Sequence, residues 1–250
     1  LKELYRKTYE SNDFIFNADV NSLYPAAMIQ FEYPVGKHRY SEDPEGDFKK
    51  GLLGIYNIEF TSKKDLIISP FSSKTVEGRL SWNVKDGEGI YNSIDIQNAI
   101  DMGYKVKFVR RAIVWDKKEN IFQEYIDDIY KMKRDAKETG NKVRYSLSKL
   151  LMNSLYGKTL QRACVDSTKI ISDFDGLCKF LAEYNITDYD ILKGDSVILT
   201  GEALEIKQKI TKPSHIGSFV LGYSRKIMLN YMREVSPNLT EHPFTYTDTD

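Results

Sequence analysis

Two acidic runs at opposite ends of the 250 residues put the strongest constraint on how this chain folds. Phe14-Ile15-Phe16-Asn17-Ala18-Asp19-Val20 reads as a strand that stays apolar to its tip and then turns acidic. Phe244 to Asp250 reads as a final strand, and it closes on Tyr246-Thr247-Asp248-Thr249-Asp250. One aspartate at a strand end is most often a turn or cap residue. Two such tips brought side by side are a different matter. Magnesium takes hard oxygen ligands, and a two-metal site needs carboxylates from separate strands. The fold must therefore be one that makes neighbours of the first and last acidic strands.

A third run lies between them: Lys149-Leu150-Leu151-Met152-Asn153-Ser154-Leu155-Tyr156-Gly157. At about 100° per residue, Lys142, Tyr145, Lys149, Asn153 and Tyr156 fall in one narrow sector of a helix, with Leu147, Leu150 and Leu151 opposite. This predicts a helix held by a leucine back that shows cations, an amide and aromatic rings in front. Lysine suits triphosphate oxygens, and a tyrosine ring braces a base or a sugar. A plain surface helix has little need of Asn153 and Tyr156 beside Lys149. In order, the three runs describe a site for two divalent cations and a nucleoside triphosphate.

Net charge is +0, which argues against a protein that simply coats nucleic acid. The charge is unevenly spread: Ile129 to Arg162 holds nine Lys/Arg and two acids, an electropositive stretch suited to phosphates. Cys164 and Cys178, the only cysteines, form no metal-type pair, and a reduced intracellular setting follows. His38, His215 and His242 are scattered and read as structural or exposed. No apolar run approaches the roughly 18 residues that span a bilayer, so no membrane partner is expected. The chain opens on Leu1 rather than Met, as a piece of a longer protein would.

Helical and β patterns are interspersed without a βαβ rhythm, which predicts an α+β fold. Ser22 is placed to cap a short helix through Phe31, with Pro25 tolerated in the first turn. Glu42 to Lys50 reads as a loop, and residues 51 to 115 as β-rich, with strands at Gly54–Phe60, Arg79–Val84 and Lys105–Trp115. A helix at Ser93–Met102 stops at Gly103. Asn120–Glu138 is the most strongly periodic helix, and Gly140-Asn141 turns it into a second, Lys142–Tyr156, ended by Gly157. A helix at Gly176–Tyr184, a strand at Ser196–Leu199 and a helix at Gly217–Val235 complete the pattern.

The run Asp19 to Pro25 resembles motif A of family B DNA polymerases, Lys149 to Gly157 resembles their motif B, and Tyr246 to Asp250 their motif C. Gly217 followed by Arg225 resembles a DNA-contacting segment of the protein-primed branch, that of certain phages, adenoviruses and linear mitochondrial plasmids. The likeness covers essentially the whole chain. It implies a palm of antiparallel sheet and helices with a two-helix fingers subdomain, the exonuclease and thumb lying outside this chain. The expected division is 1–116 palm with motif A and an inserted β-rich region, 117–162 fingers, 163–216 an insertion, and 217–250 palm with motif C.

The resemblance implies template-directed addition of dNTPs to a primer 3′-hydroxyl. Asp19 and Asp250, with the Val20 carbonyl, would hold two Mg²⁺ ions, for which Mn²⁺ substitutes, and Asp248 would support them. Tyr24, Lys133 or Lys137, Lys149, Asn153 and Tyr156 would bind the nucleotide, and Gly157, Gly217 and Arg225 the DNA. DNA template, primer and a terminal priming protein are the implied partners, in a mitochondrion or a virus-infected cell. The stretch from Lys158 to Gly217 is longer than the branch pattern, and the 250-residue piece alone is expected to be inactive. The rival readings are a reverse transcriptase, which usually carries adjacent aspartates where Thr249 here separates two, and a decayed remnant that only binds DNA. The intact acids and lysines argue against decay.

Overall fold

The structure is a computed structural model that describes residues 20, 22–63, 66, 68–74, 79–82, 84–161, 166–194, 196–204 and 212–235. Two compact units divide the chain: residues 1–159 with 214–250, and residues 160–213. The described elements run α1 (Leu23–Gln30), β1 (Tyr33–Val35), β2 (Arg39–Ser41), α2 (Pro44–Lys49), β3 (Leu53–Thr61), β4 (Ser73–Lys74), β5 (Leu80–Ser81), β6 (Asp86–Asn92), α3 (Ser93–Asp101), β7 (Lys105–Phe108), β8 (Ala112–Trp115), β9 (Lys117–Glu119), α4 (Gln123–Glu138), α5 (Lys142–Leu160), β10 (Asp166–Ile171), α6 (Phe174–Glu183), β11 (Tyr184–Ile191), β12 (Val197–Ala203) and α7 (Ser214–Val235). Among the described residues every strand pairing is antiparallel, and helices and strands are mixed along the chain, an α+β fold.

The larger unit is organised around β3. Alternate residues Tyr56, Ile58 and Phe60 are buried along it, as a half-covered strand requires. Its sheet has the order β2-β8-β3-β6, and β7 also pairs with β3. The single strand expected at 105–115 is thus broken: β7 and β8 both pair with β3, at Ile58↔Phe108 and Ile55↔Ile113, and residues 109–111 stand between them. The strand expected at 79–84 shrinks to β5, paired with β4. Residues 42–50 are corrected from loop to a helix, α2. Asp43 accepts a bond from the Gly46 N–H, Pro44 sits in the first turn, and Glu45 and Asp47 complement the helix dipole there.

The helix α3 begins at Asn92, whose side chain accepts from the Ile94 and Asp95 N–H groups. It ends at Asp101, with Gly103 just beyond at φ 93°, in the left-handed region. In α1, Pro25 is accommodated in the first turn, as expected. Ser22 is not the side-chain cap it promised to be: at φ 56° and ψ 54° its backbone is left-handed and its hydroxyl caps nothing.

The pair α4 and α5 forms the expected antiparallel hairpin. Gly140, at φ 67°, makes the turn, and Asn141 accepts from the Arg144 N–H to start α5. Tyr125 donates to the Leu151 carbonyl at 3.3 Å near one end, and Lys133 meets Tyr145 nearer the turn. Two expectations about α5 are corrected. Gly157 does not end it: the helix runs on to Leu160, since glycine at ordinary helical dihedrals weakens a helix without stopping it. The leucines are not its back either. Leu147 and Leu150 are 49 % and 62 % exposed, whereas Ser148, Met152 and Thr159 are buried. Ser148 and Thr159 donate to the helix's own carbonyls at Arg144 and Tyr156, so their hydroxyls are satisfied and small polar residues line the packed stripe.

The last helix of this unit, α7, begins at Ser214 rather than Gly217. Ile216, Phe219, Val220 and Tyr223 share a core with Met28 of α1 and Tyr33, while Leu229 joins the sheet core of Tyr56, Ile58 and Ile96. One helix therefore ties the sheet to α1.

The smaller unit is a sheet of order β10-β12-β11 with α6 beside it. Asp173 caps α6 at Gly176, and Phe180 packs against Ile171 and Leu199. Phe180 also lies so close to Gly201 that a Cβ there would fall 2.9 Å from its ring.

Candidate active site

The site begins at α1, which carries the residues after Asp19. Val20 is half-buried, and α1 opens three residues later. Leu23, Ala27 and Met28 bury one side of α1 in the core, which fixes where the rest of its surface points. Tyr24 is thereby brought against α5. Its ring stacks on that of Tyr156 with centroids 4.0 Å apart and planes 21° from parallel. Two residues singled out from separate motifs, far apart in sequence, thus form one aromatic surface.

Cations are carried along α4 and α5. The Lys133 ammonium lies 5.5 Å from the Tyr130 centroid and 5.7 Å from that of Tyr145, so it spans from α4 to α5. Tyr145 is on the same helical sector as Lys149, Asn153 and Tyr156. Lys149 and Asn153 are exposed on the flank of the buried stripe. Lys137 is exposed, one turn further along α4. Gly157 is exposed near the end of α5, and an added Cβ there would meet nothing within 4 Å.

On the other face of α1 a cleft of about 390 Å³ separates it from α4. Ser22, Pro25, Ala26 and Ile29 form one wall; Ile126, Asp127, Tyr130, Lys131 and Arg134 form the other. Sequence reading missed Lys131 and Arg134 here. Their signal was present: spaced by three, they share a face of α4 that Lys133 does not.

Two expected DNA contacts sit elsewhere. Gly217, expected to be the first residue of its helix, is buried three residues past the start of α7 at Ser214. Arg225 is engaged inside the fold. Its Nε donates to Asp95 Oδ1 at 2.8 Å and its Nη2 to Asp95 Oδ2 at 2.6 Å. Asp95 is buried, and the Trp82 ring lies 6.0 Å from the guanidinium. Arg225, expected to touch template or primer, is half-buried and held by this bidentate pair. Asp95 itself escaped notice, because Asn92 and Asp95 in sequence announce only a helix start.

Asp19, Asp248 and Asp250 lie outside the described residues. Among the described residues no group of three or more His, Cys, Asp or Glu could hold a metal. The donor set that the sequence offers, the carboxylates of Asp19 and Asp250 and the Val20 carbonyl, is all oxygen and fits magnesium. Among the described residues no helix is long and apolar enough to cross a membrane.

Comparison with known proteins settles the family. The model of "DNA polymerase type B, organellar and viral" matches residues 2–236. The chain belongs to the organellar and viral type B DNA polymerases. It is 28 % identical over 242 residues to a "Probable DNA polymerase" of Neurospora intermedia, covering 93 % of this chain and 24 % of that protein. It is 28 % identical over 246 residues to a "DNA polymerase" of Kluyveromyces lactis, covering 93 % and 23 %. The chain therefore spans about a quarter of the length of these type B relatives. A "DNA polymerase" of canine adenovirus serotype 2 is 32 % identical over 117 residues, 44 % of this chain and 10 % of that one. The fold is similar to that of phi29 DNA polymerase, with a TM-score of 0.60 and 20 % identity over 87 % of this chain and 35 % of the other. The same polymerase complexed with primer-template DNA and incoming nucleotide substrates gives a TM-score of 0.59.

Proposed function

We propose that this chain supplies the palm and fingers of a DNA-directed DNA polymerase that extends a primer 3′-hydroxyl with dNTPs in protein-primed replication of a linear viral or mitochondrial-plasmid genome. The observation that carries the reading is the stack of Tyr24 on Tyr156, which joins motif A to motif B on the helix that also carries Lys149 and Asn153. A deoxynucleotide fits that arrangement: ring faces for the sugar and base, cations for the phosphates. The phi29 polymerase, of similar fold, has been seen with primer-template DNA and incoming nucleotides, which supports the same ligands here.

In this reading residues 1–116 and 217–250 are palm, 117–162 fingers and 163–216 an insertion. Asp19, Asp250 and the Val20 carbonyl hold two Mg²⁺ ions, and Asp248 supports them. When bound, the metals supply positive charge that lowers the pKa of the primer hydroxyl and neutralises the triphosphate. The chain's own residues position the reactants. Lys149 binds the triphosphate with Lys133, and Lys137 stands one turn away. Tyr24 lies under the sugar and meets a 2′-hydroxyl by contact, Tyr156 braces it from below, and Asn153 orients the nucleotide. Gly157 leaves open space at the end of α5 for a template backbone to approach. The attacking hydroxyl and the leaving pyrophosphate are held in line, and orientation and charge supply most of the rate.

The test is Mg²⁺-dependent primer extension by the full-length protein. Asp19→Asn and Asp250→Asn are each expected to abolish nucleotide addition while sparing DNA binding. Wild-type turnover by either variant would remove the metal assignment.

A further inference from the structure

We infer that Asp95 and Arg225 are positioning residues for the nucleotide pocket, acting through α7; the inference rests on the polymerase reading above. A half-buried ion pair is weak evidence for stability, because desolvation and solvent screening offset much of its attraction. What a bidentate guanidinium–carboxylate pair does supply is geometry, since two parallel bonds fix distance and orientation together. Here the fork joins α7 to the first turn of α3 at 2.6 and 2.8 Å. Asn92, the cap of α3, donates to the Ser218 carbonyl and hydroxyl at 3.1 and 3.2 Å one helical stretch earlier. Between these contacts Gly222 lets α7 press close, for a Cβ there would fall 2.9 Å from Asn92 Oδ1. The helix is thus held against both sliding and rotation.

What α7 holds in turn is α1. Tyr223, two residues before Arg225, stacks on Phe31 at 4.2 Å and 4°. Its hydroxyl donates to the Glu32 carbonyl at 2.9 Å, and Ile216, Phe219 and Val220 share a core with Met28. Phe31 follows directly on α1, and Tyr24 lies at its other end. A shift of α7 therefore tilts α1 and changes the height of the Tyr24 ring beneath the nucleotide sugar.

The experiment uses the full-length polymerase and reads kcat/KM for a dNTP and for the matching rNTP, with DNA affinity across a salt series. Arg225→Lys keeps the charge and loses the fork; Asp95→Asn keeps the shape and loses the charge. Each is expected to lower the dNTP-to-rNTP preference by about tenfold or more, within the roughly hundredfold that a misplacement of about 1 Å away from the chemistry can cost in rate, with DNA affinity and its salt slope unchanged. A merely structural role lowers the active fraction equally for both nucleotides and leaves the ratio at the wild-type value, which would overturn the inference. A weaker DNA complex with a salt slope reduced by about one would overturn it too, by making Arg225 a phosphate contact. Should either single variant fail to fold, Asp95→Leu/Arg225→Met removes both charges together. Relaxed sugar selection in that protein supports positioning, and wild-type selection refutes it. A wild-type enzyme that extends no primer removes the polymerase reading as well; an active wild type with unaltered variants removes only the role given to this pair.

Discussion

Tyr24 and Tyr156 meet because the residues around Tyr24 leave it no other direction. Leu23, Ala27 and Met28 commit one side of α1 to the core, and the ring is carried to α5. A stack of this kind contributes about 0.5–1.5 kcal/mol beyond the area it buries, so it is a durable floor rather than an accident of packing. His215 shows a different kind of control at the same scale. It lies flat on Trp115 at 4.9 Å, and burial, with His38 adding in the same direction, holds its imidazole below the ordinary 6.5. The folded protein thus takes up that proton less readily than the unfolded chain does. The contribution is fully present above about pH 6.5 and is lost as pH falls below it, levelling off once the folded group is itself protonated. Replacing His215 with Phe is expected to flatten the pH dependence of the unfolding free energy between about pH 6.5 and 5. Equal slopes for the two proteins in denaturant titrations would contradict that.

Among the elements, α5 separates what can be read from a sequence from what cannot. Its existence, its start after Gly140-Asn141 and its pairing with α4 follow from periodicity and turn chemistry. Its buried stripe does not, because Ser148 and Thr159 return their hydroxyls to the helix backbone and so behave as small core residues. The stripe makes a simple claim about energy. Met152→Ala is expected to cost about 2–5 kcal/mol of stability, as removal of a buried methionine does, whereas Leu150→Ala is expected within about 0.5 kcal/mol of wild type. If chemical denaturation ranks them the other way, the leucines are the packed face after all. The helix α2 was missed for a related reason: residues 44–49 are short and polar, and their helicity comes from Asp43 and Pro44 at one end rather than from an apolar face. The strand at 105–115 reads as one because the eye follows apolar alternation, while Arg110 and Arg111, both exposed, fall in its gap.

Over the whole molecule, the α+β class and the family were legible in the sequence, since each rests on residue types at fixed local spacing. The Asp95–Arg225 pair was not: its partners are 130 residues apart and neither belongs to a pattern that names the other. The same distance in sequence separates what a motif identifies from what positions it. A 22-residue helix, α7, runs between the sheet core and α1, so the geometry at Tyr24 depends on residues outside motifs A and B. The account as a whole claims that Tyr24, resting on Tyr156, is the surface on which a deoxynucleotide's sugar lies. The measurement that tests it most directly is incorporation of a ribonucleotide against its deoxynucleotide by the full-length enzyme carrying Tyr24→Val. Ready ribonucleotide incorporation with dNTP turnover retained is the predicted result, and sugar discrimination equal to that of the wild type would contradict the account.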